Sequence, residues 1–425
     1  MSHQLPIFNP LPVNEELLES YHVECLPLAE LDKGPIEFVI TGDDDFIDFS
    51  ATTLYLQAKI TKADGSAYPA DTSSAKQEVA FKNNSMHSLF SDVLVKFNST
   101  LVEGGEGCYA LKSYINTLFS FSDTTMEKQL FASGFAKDDA DAADAVTNKG
   151  YITRKAWTVA GAKKEFYGKL HVDAFLQPRL MVPNVNTHIK LIKASYEQAI
   201  WTNASGEKPR FSITEAKLFV KKVKAHPLIE EKILSTIERG GILHYPINRV
   251  DINTITVAPG IKELCKEPPF YGKVPKILVM GMLNSEAALG TYGKNPFNFQ
   301  HHSIKEVDLR INGTSKPTLP FKPDFEGKLY LREYMALLEA MNILGKDTHL
   351  PITYEDFASG YTFFAWNLTA DYAAEPQNPN KRANIRLDVQ WAKDTVGVNE
   401  IILYAIYDSI ILIDGDGKVF TVYKD

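Results

Sequence analysis

The chain has 425 residues, 44% of them hydrophobic and 23% charged, and a formal net charge of −8. That length and apolar fraction suit a globular protein of two or three domains able to bury a substantial core. The negative balance argues against a protein whose main task is gripping nucleic acid, because neutralising phosphates needs a surplus of Lys and Arg.

Three scattered cysteines, Cys25, Cys108 and Cys265, do not make a disulfide framework. No apolar run approaches the ~18 residues of a membrane span, and the opening Met1-Ser2-His3-Gln4-Leu5-Pro6 lacks the basic and apolar parts of a signal peptide. Assembly in a reducing cell interior is expected. The sequons at Asn83, Asn98, Asn203, Asn312 and Asn367 then read as ordinary turn and strand residues.

Residues 1–34 read as an arm. Pro6, Pro10, Pro12 and Pro27 remove backbone donors, so the segment should lie over a surface and not found a core. A strand begins at Ile36. In the next, Leu54, Leu56, Ala58 and Ile60 alternate with Tyr55, Gln57, Lys59 and Thr61, the period of a half-buried strand. Lys62-Ala63-Asp64-Gly65 supplies its turn. Further strands are predicted over 90–97, 167–175, 187–193 and 212–223. Between them, residues 121–164 carry the acidic Lys137-Asp138-Asp139-Ala140-Asp141-Ala142-Ala143-Asp144-Ala145, which reads as a long exposed loop unable to pack a core.

A linking helix is predicted over 227–239, with Ile229, Ile233 and Ile237 on one face and Gly240-Gly241 as its stop. Strands then follow over 250–257, 274–280 and 307–311, a helix over 329–341, and strands over 361–368, 385–391, 401–413 and 419–423. Asp414-Gly415-Asp416-Gly417 joins the last two as a hairpin. Many strands, few helices and Pro/Gly-punctuated connections describe sandwiches, not alternating βαβ units.

One sub-pattern occurs twice. His87-Ser88-Leu89 and then Val93 through Asn98-Ser99-Thr100 match His302-Ser303-Ile304 and then Val307 through Asn312-Gly313-Thr314. A helical stretch with two tyrosines follows each copy: Tyr109 with Tyr114, and Tyr330 with Tyr334. His188-Ile189-Lys190-Leu191 answers Asn384-Ile385-Arg386-Leu387. The spacing is too long for a solenoid repeat and suits a duplicated domain.

Site chemistry is sparse. No phosphate loop, dinucleotide fingerprint, zincin or nucleophile-elbow motif occurs. Asp43-Asp44-Asp45 could attract a divalent cation, but it sits where acidic turns are common. His301-His302 lacks visible co-ligands, and its counterpart His87 suggests a satisfied polar residue at a strand entrance. Lys221, Lys222 and Lys224, grouped with Arg210, read as a solvated strand face. Asn295-Pro296-Phe297-Asn298-Phe299 reads as a turn leading into buried aromatics. No catalytic, cofactor-binding or metal-binding residue is assigned.

Ordered strings over nearly the whole chain resemble the capsid proteins of Polinton (Maverick) elements and adintoviruses. They include Pro35-Ile36-Glu37-Phe38, Ile47-Asp48-Phe49-Ser50, Leu54 through Gly65, His87-Ser88-Leu89-Phe90-Ser91, and Tyr109 through Thr117-Leu118. Later come Ala216 through Lys224, Lys294 through Phe299, Leu319-Pro320, Pro323-Asp324-Phe325, Gly360-Tyr361-Thr362, Trp366-Asn367-Leu368-Thr369 and the terminal hairpin. The chain departs from the family at 138–144 and 338–348.

The resemblance implies an all-β protein of two tandem jelly-roll β-sandwich domains, with short helices in the connecting loops. The first would span 35–225 and the second 226–425. It further implies a non-enzymatic major capsid protein of the hexon type. Homotrimers with a nearly six-fold outline would tile an icosahedral shell. Partners would be copies of itself, neighbouring capsomers and a single-jelly-roll penton protein, with neither a membrane span nor direct sequence-specific nucleic-acid binding. The protein would reside in the virion. Two rivals are a carbohydrate-binding β-sandwich presenting Trp201 or Trp366 on an exposed shelf, and a β-sandwich hydrolase with perturbed carboxylates in a cleft.

Overall fold

The computed structural model describes residues 16–32, 34–69, 78–204, 206–270, 272–369 and 382–421. Among the described residues, ten strands precede the linking helix Pro227–Glu238: β1 (Leu17–Cys25), β2 (Ile36–Ile40), β3 (Phe46–Thr61), β4 (Val79–Phe81), β5 (Phe90–Phe97), β6 (Thr100–Glu103), β7 (Lys164–Gly168), β8 (Thr187–Lys193), β9 (Ile200–Thr202) and β10 (Arg210–Ala225). Nine follow it: β11 (Leu243–Val257), β12 (Glu263–Lys266), β13 (Ile277–Asn284), β14 (Ile304–Ile311), β15 (Thr314–Phe321), β16 (Phe363–Asn367), β17 (Ile385–Trp391), β18 (Asn399–Ile413) and β19 (Val419–Thr421).

The first unit has sheets ordered β1-β10-β3-β7 and β2-β8-β5-β6; the second has β11-β18-β13-β16 and β12-β17-β14-β15. These are the same two sheets built twice, with β4–β9 added to the first unit and β19 added beside β18 in the second. Each unit has eight antiparallel strands whose first pairs with its last, which is a jelly roll. The fold is a double jelly roll.

Alternation builds each core. Leu54, Leu56, Ala58 and Ile60 on β3 are fully buried, facing Phe38, Val95 and Ile189 from the opposite sheet within one cluster. In the second unit, Leu278, Met280, Leu403 and Ala405 meet Val307, Leu309, Leu387 and Val389. Each fully buried large aliphatic side chain contributes roughly 1.5–3 kcal/mol.

The duplication extends to individual hydrogen bonds. After β5, Asn98 adopts φ 51°, donates its backbone N–H to Asn186 O at 2.7 Å, and accepts from Asn186 N at 2.9 Å through Oδ1. After β14, Asn312 adopts φ 50° and makes the same pair with Asn384, at 2.8 and 2.9 Å. Asn tolerates left-handed backbone better than most side chains. Asn312→Ala should therefore cost about 1–2 kcal/mol from strain and the lost acceptor. Asn312→Gly, which relieves the strain, should cost less; equal losses in urea midpoint would refute this account.

Several expectations need correction. Leu17–Cys25 lies within the predicted arm but pairs with β10 as the edge strand of the first sandwich. Its side chains are mostly exposed, so the hydrophobic pattern that marks buried strands was missing. The predicted strand over 167–175 is strand only in β7; the chain then turns through a short 3-10 stretch at Asp173–Phe175. β11 starts at Leu243, well before the predicted 250. The last strand is described only to Thr421, and residues 422–425 of the predicted 419–423 segment and beyond lie outside the described residues.

The acidic stretch is the largest departure. Residues 121–164 contain the helices Asp123–Lys128 and Lys149–Ala156 and short 3-10 turns, and they bury Met126, Phe135 and Tyr151. The segment is not an exposed loop. It is part of the joint between the two sandwiches.

Candidate functional site

The helix Tyr109–Ser120, within the first unit's β6–β7 insertion, carries apolar residues at three- and four-residue spacing: Leu111, Ile115, Leu118 and Phe119. Ile115 and Leu118 are buried against the outer face of the second unit's β11-β18-β13-β16 sheet, in a cluster with Val250, Ile252, Ile402 and Tyr404. Phe119 meets Phe363 edge-on at 5.4 Å, and Tyr114 stacks on Phe297 at 4.0 Å. Phe297 and Phe299 are both buried, so the Asn-Pro-Phe-Asn-Phe string does lead into packed aromatics. The helix thus bridges the sandwiches. Traffic also runs the other way: Tyr245, Ile247, Ile411, Ile413 and Val419 of the second unit join the first unit's core.

Asp138 sits at the centre of the acidic segment's seat. Its carboxylate accepts from Arg154 Nη2 at 2.8 Å, Asn83 Nδ2 at 3.2 Å and Asn295 Nδ2 at 3.0 Å. Its carbonyl accepts from Tyr361 OH at 2.8 Å. Asp144 accepts from Asn295 N and Asn298 Nδ2. Gly360 fits because it has no side chain: a Cβ there would meet Ala140 O at 2.6 Å, at a φ of +79°. Three of the five acidic or amide groups here, Asn83, Asp138 and Asp144, precede the linking helix and two, Asn295 and Asn298, follow it, so the seat exists only when the sandwiches are docked.

A second cluster lies beneath the bridging helix. Lys112 Nζ pairs with Glu103 and, at 2.9 Å, with Asp173 Oδ1. Asp173 Oδ2 accepts from Val250 N at 2.9 Å, and Arg249 Nη1 donates to Val102 O at 2.8 Å. The first of these occupies a backbone donor on the edge strand β11 and the second a backbone acceptor on the edge strand β6, sheet margins that would otherwise stay unpaired. Burial, then Asp173, pushes the Glu103 carboxyl up, while Lys112 opposes. Burial likewise pushes Asp251 up to about 6. Lys112 stays charged because Asp173 and Glu103 outweigh its desolvation. The adjoining cavity is about 30 Å³ and holds water-sized guests only.

Two histidines stand next to this cluster. His87 Nδ1 and Tyr109 OH are 2.8 Å apart, and the His87 ring meets His171 edge-on at 4.5 Å. Burial lowers both, His171 to about 4 with Lys112 adding to the effect. On the far side of the joint, Lys82 Nζ donates to Glu197 O at 2.6 Å and to Thr291 O at 3.0 Å, tying one unit to the other. Burial pushes its ammonium down to about 7, against the pull of Asp144 and Glu197.

The residues weighed from sequence are dispersed. Asp43 pairs with Lys222 and Asp45 accepts from Tyr21 OH at 2.6 Å, so the acidic run is engaged in β1–β10 packing. Among the described residues no group of three or more His, Cys, Asp or Glu is arranged to hold a metal ion. His87 is a satisfied buried residue, but His302 is not its match: its Nε2 finds no hydrogen-bond partner among the described residues. His301 stacks on Phe325 at 4.2 Å. The predicted Lys–Arg cluster does not form. Arg210 and Lys221–Lys224 stand at opposite ends of β10, and Lys222 is buried.

Trp201 and Trp366, the shelf of the carbohydrate-binding rival, are each 4% exposed. Of the carboxyls pushed upward, as the hydrolase rival requires, Glu103 lines the water-sized joint cavity and pairs with Lys112, and Asp251 stands by Arg249. No described helix is long and apolar enough to cross a membrane.

The Lys112 cluster was missed from sequence because its members are spread over 103–251 on four elements. One signal was available: Ile115 and Phe119 follow Lys112 at three and seven residues, so Lys112 shares the apolar side of the helix, a placement that demands a buried partner.

No family model matches the chain. An uncharacterised Caenorhabditis elegans protein is 23% identical over 392 residues, covering 90% of this chain and 92% of that one. Solved structures share the fold over nearly full length. The mavirus major capsid protein superposes with a TM-score of 0.56 at 12% identity, covering 99% of this chain and 93% of its own. The faustovirus major capsid protein gives 0.58 at 11%, covering 96% and 92%. A chain of the Sputnik virophage gives 0.57 at 13%, covering 99% and 92%. At these identities the likeness is one of fold.

Proposed function

We propose that this chain is a major capsid subunit of the hexon type, in the lineage of Polinton elements and adintoviruses. The observation that carries the reading is the pair of like-ordered sandwiches locked into one body, matched end to end by viral capsid chains. Two stiff sandwiches per chain and three chains per ring give a capsomer with nearly six-fold outline, able to tile an icosahedral face with one polypeptide. The domain division that goes with this reading is 35–225 and 226–425, with β1 of the arm region added to the first sandwich.

The buried chemistry fits a structural role. The titratable groups around Lys112 are spent on each other and on backbone groups, and the cavity of about 30 Å³ beside them admits no substrate. Partners in this reading are further copies, neighbouring capsomers and a single-jelly-roll penton protein; the location is the virion.

Light scattering on the purified chain tests the reading. A stable species of three chain masses, with pseudo-hexagonal rings in negative stain, is expected. A monomer at all accessible concentrations that binds glycans would overturn it in favour of the lectin-type rival.

A further inference from the structure

The two sandwiches have equivalent outer sheet faces, yet the chain covers only one of them. On the second unit, the β11-β18-β13-β16 face is apolar and lies under the first unit's bridging helix. The corresponding β1-β10-β3-β7 face of the first unit has no described element packed over it. It is polar: Thr53 Oγ1 donates to Tyr167 OH at 2.8 Å, Tyr55 OH donates to Glu165 at 2.8 Å, and Lys217 pairs with Glu24 and Glu215, each at 3.1 Å. Tyr167 is 48% exposed and leans towards Phe219.

The insertions show the reverse asymmetry. The first unit's β6–β7 insertion supplies the bridging helix. The second unit's β15–β16 insertion carries the matching helix, Leu331–Ala340, whose Leu337 and Ala340 are buried against its own unit. Its other side is open. Leu331 is 59% exposed and Met335 36%, with Leu329 and Leu319 beside them at 70% and 69%. Arg332 holds this group together by donating to Leu319 O and Pro320 O. Four exposed apolar side chains in one place mark a contact surface.

One chain therefore contains one joint of the form insertion-on-sheet-face, and leaves open one further insertion and one further sheet face. We infer that the first unit's open sheet face, around Tyr167 and Lys217, is the seat for the Leu331–Met335 surface of a second copy of this chain. The inference rests on the capsomer reading and adds which surfaces mate. The two open surfaces belong to different sandwiches, one on β3, β7 and β10 and the other on Leu331–Ala340, so a second copy offers each its complement. A contact between unlike surfaces repeats head to tail and closes into a ring where the rotation between copies closes. The difference in polarity has a physical reason. The intrachain joint never meets water once folded and can be apolar on both sides, whereas a contact whose two sides wait in solvent before assembly keeps one of them hydrated.

Two exposed double variants test this. Tyr167→Asp with Lys217→Glu spoils the face, and Leu331→Asp with Met335→Lys spoils the insertion surface. Each alone should run as one chain mass, with self-association weakened at least a hundredfold and a single cooperative urea transition retained. Mixed in equal amounts, they should form a species of two chain masses and nothing larger, since each retains the surface the other has lost. That mixture also proves that both variants are folded. Either variant assembling like the wild type, or a mixture that stays at one chain mass, overturns the inference while wild-type rings leave the capsomer reading standing. A wild-type chain that never assembles overturns both.

Discussion

Asp138→Ala is expected to destabilise the folded chain by about 3–5 kcal/mol, because it leaves the Arg154 guanidinium buried without its carboxylate. Both side chains are nearly inaccessible, at 3% and 4% exposure. The loss also strands Asn83 Nδ2 and Asn295 Nδ2, which come from different sandwiches. Asp138→Asn should be no rescue. Asn83 is fixed in orientation because its Oδ1 accepts from Asn84 N and Ala136 N, and Asn295 is fixed because its Oδ1 accepts from Phe297 N. Both therefore point N–H groups at Asp138 Oδ2 while Arg154 points one at Oδ1, so an amide there would have to set its own donor against both amides or against the guanidinium.

The control lies three residues away. Asp141 is exposed, so Asp141→Ala should change stability by no more than about 0.5 kcal/mol. Urea midpoints of the two alanine variants separate the alternatives. If they shifted equally and slightly, the acidic segment would be surface decoration, and its place in the joint would be wrong. Limited proteolysis should also cut Asp138→Ala first within 121–164, because the segment is held to the second unit by the bonds that variant removes.

Lys112→Met should have a comparable effect with a distinct pH signature. The substitution keeps volume and apolar stem but removes the cation that faces Glu103 and Asp173. Breaking a buried pair in this way costs about 3–5 kcal/mol when the remaining charges stay uncompensated. Here the Glu103 carboxylate can escape by taking a proton. The Glu103 carboxyl already stands above its ordinary value, and Asp251 stands at about 6, both raised by burial. A carboxyl whose folded value is raised contributes stability that is present below its unfolded value and is lost as the pH rises through the folded one. Removing Lys112 raises Glu103 further, so the variant's deficit should be largest at pH 7.5 and shrink towards pH 5.

The groups facing this cluster act in the same sense or cancel. His87 and His171 are held neutral by burial, so the wild type loses stability as the pH falls below their unfolded value, near 6.5. Lys112 helps to lower His171, and its removal relieves that acid penalty. Arg249 remains in both proteins. Urea midpoints of wild type and variant at pH 5 and pH 7.5 provide the measurement. A deficit that does not change with pH would mean that Lys112 stabilises the joint by packing alone.

Strand periodicity and turn chemistry carried most of the architecture into the sequence. β2, β5, β8 and β17 lie where alternation placed them. Ile385, Leu387, Val389 and Trp391 face one core because side chains alternate across a strand and one face must leave water. The Asn98 and Asn312 turns were legible for a similar reason, since a short polar residue is what left-handed backbone accepts. The duplication could be read because both copies need the same turn at the same distance from the same strand.

The strand Leu17–Cys25 could not be read that way, because an edge strand exposed on both faces has no period to show. The joint was hidden for a deeper reason. A carboxylate prefers water until a particular fold brings it a guanidinium and two amide donors from residues far along the chain, and no local pattern records that meeting. Local chemistry thus determined two β-sandwich units and the turns that define them. Only the tertiary structure decided that Asp138 and Lys112 are buried and that the bridging helix covers one sheet face and leaves its twin open, because burial of charge depends on partners and partners are set by the fold.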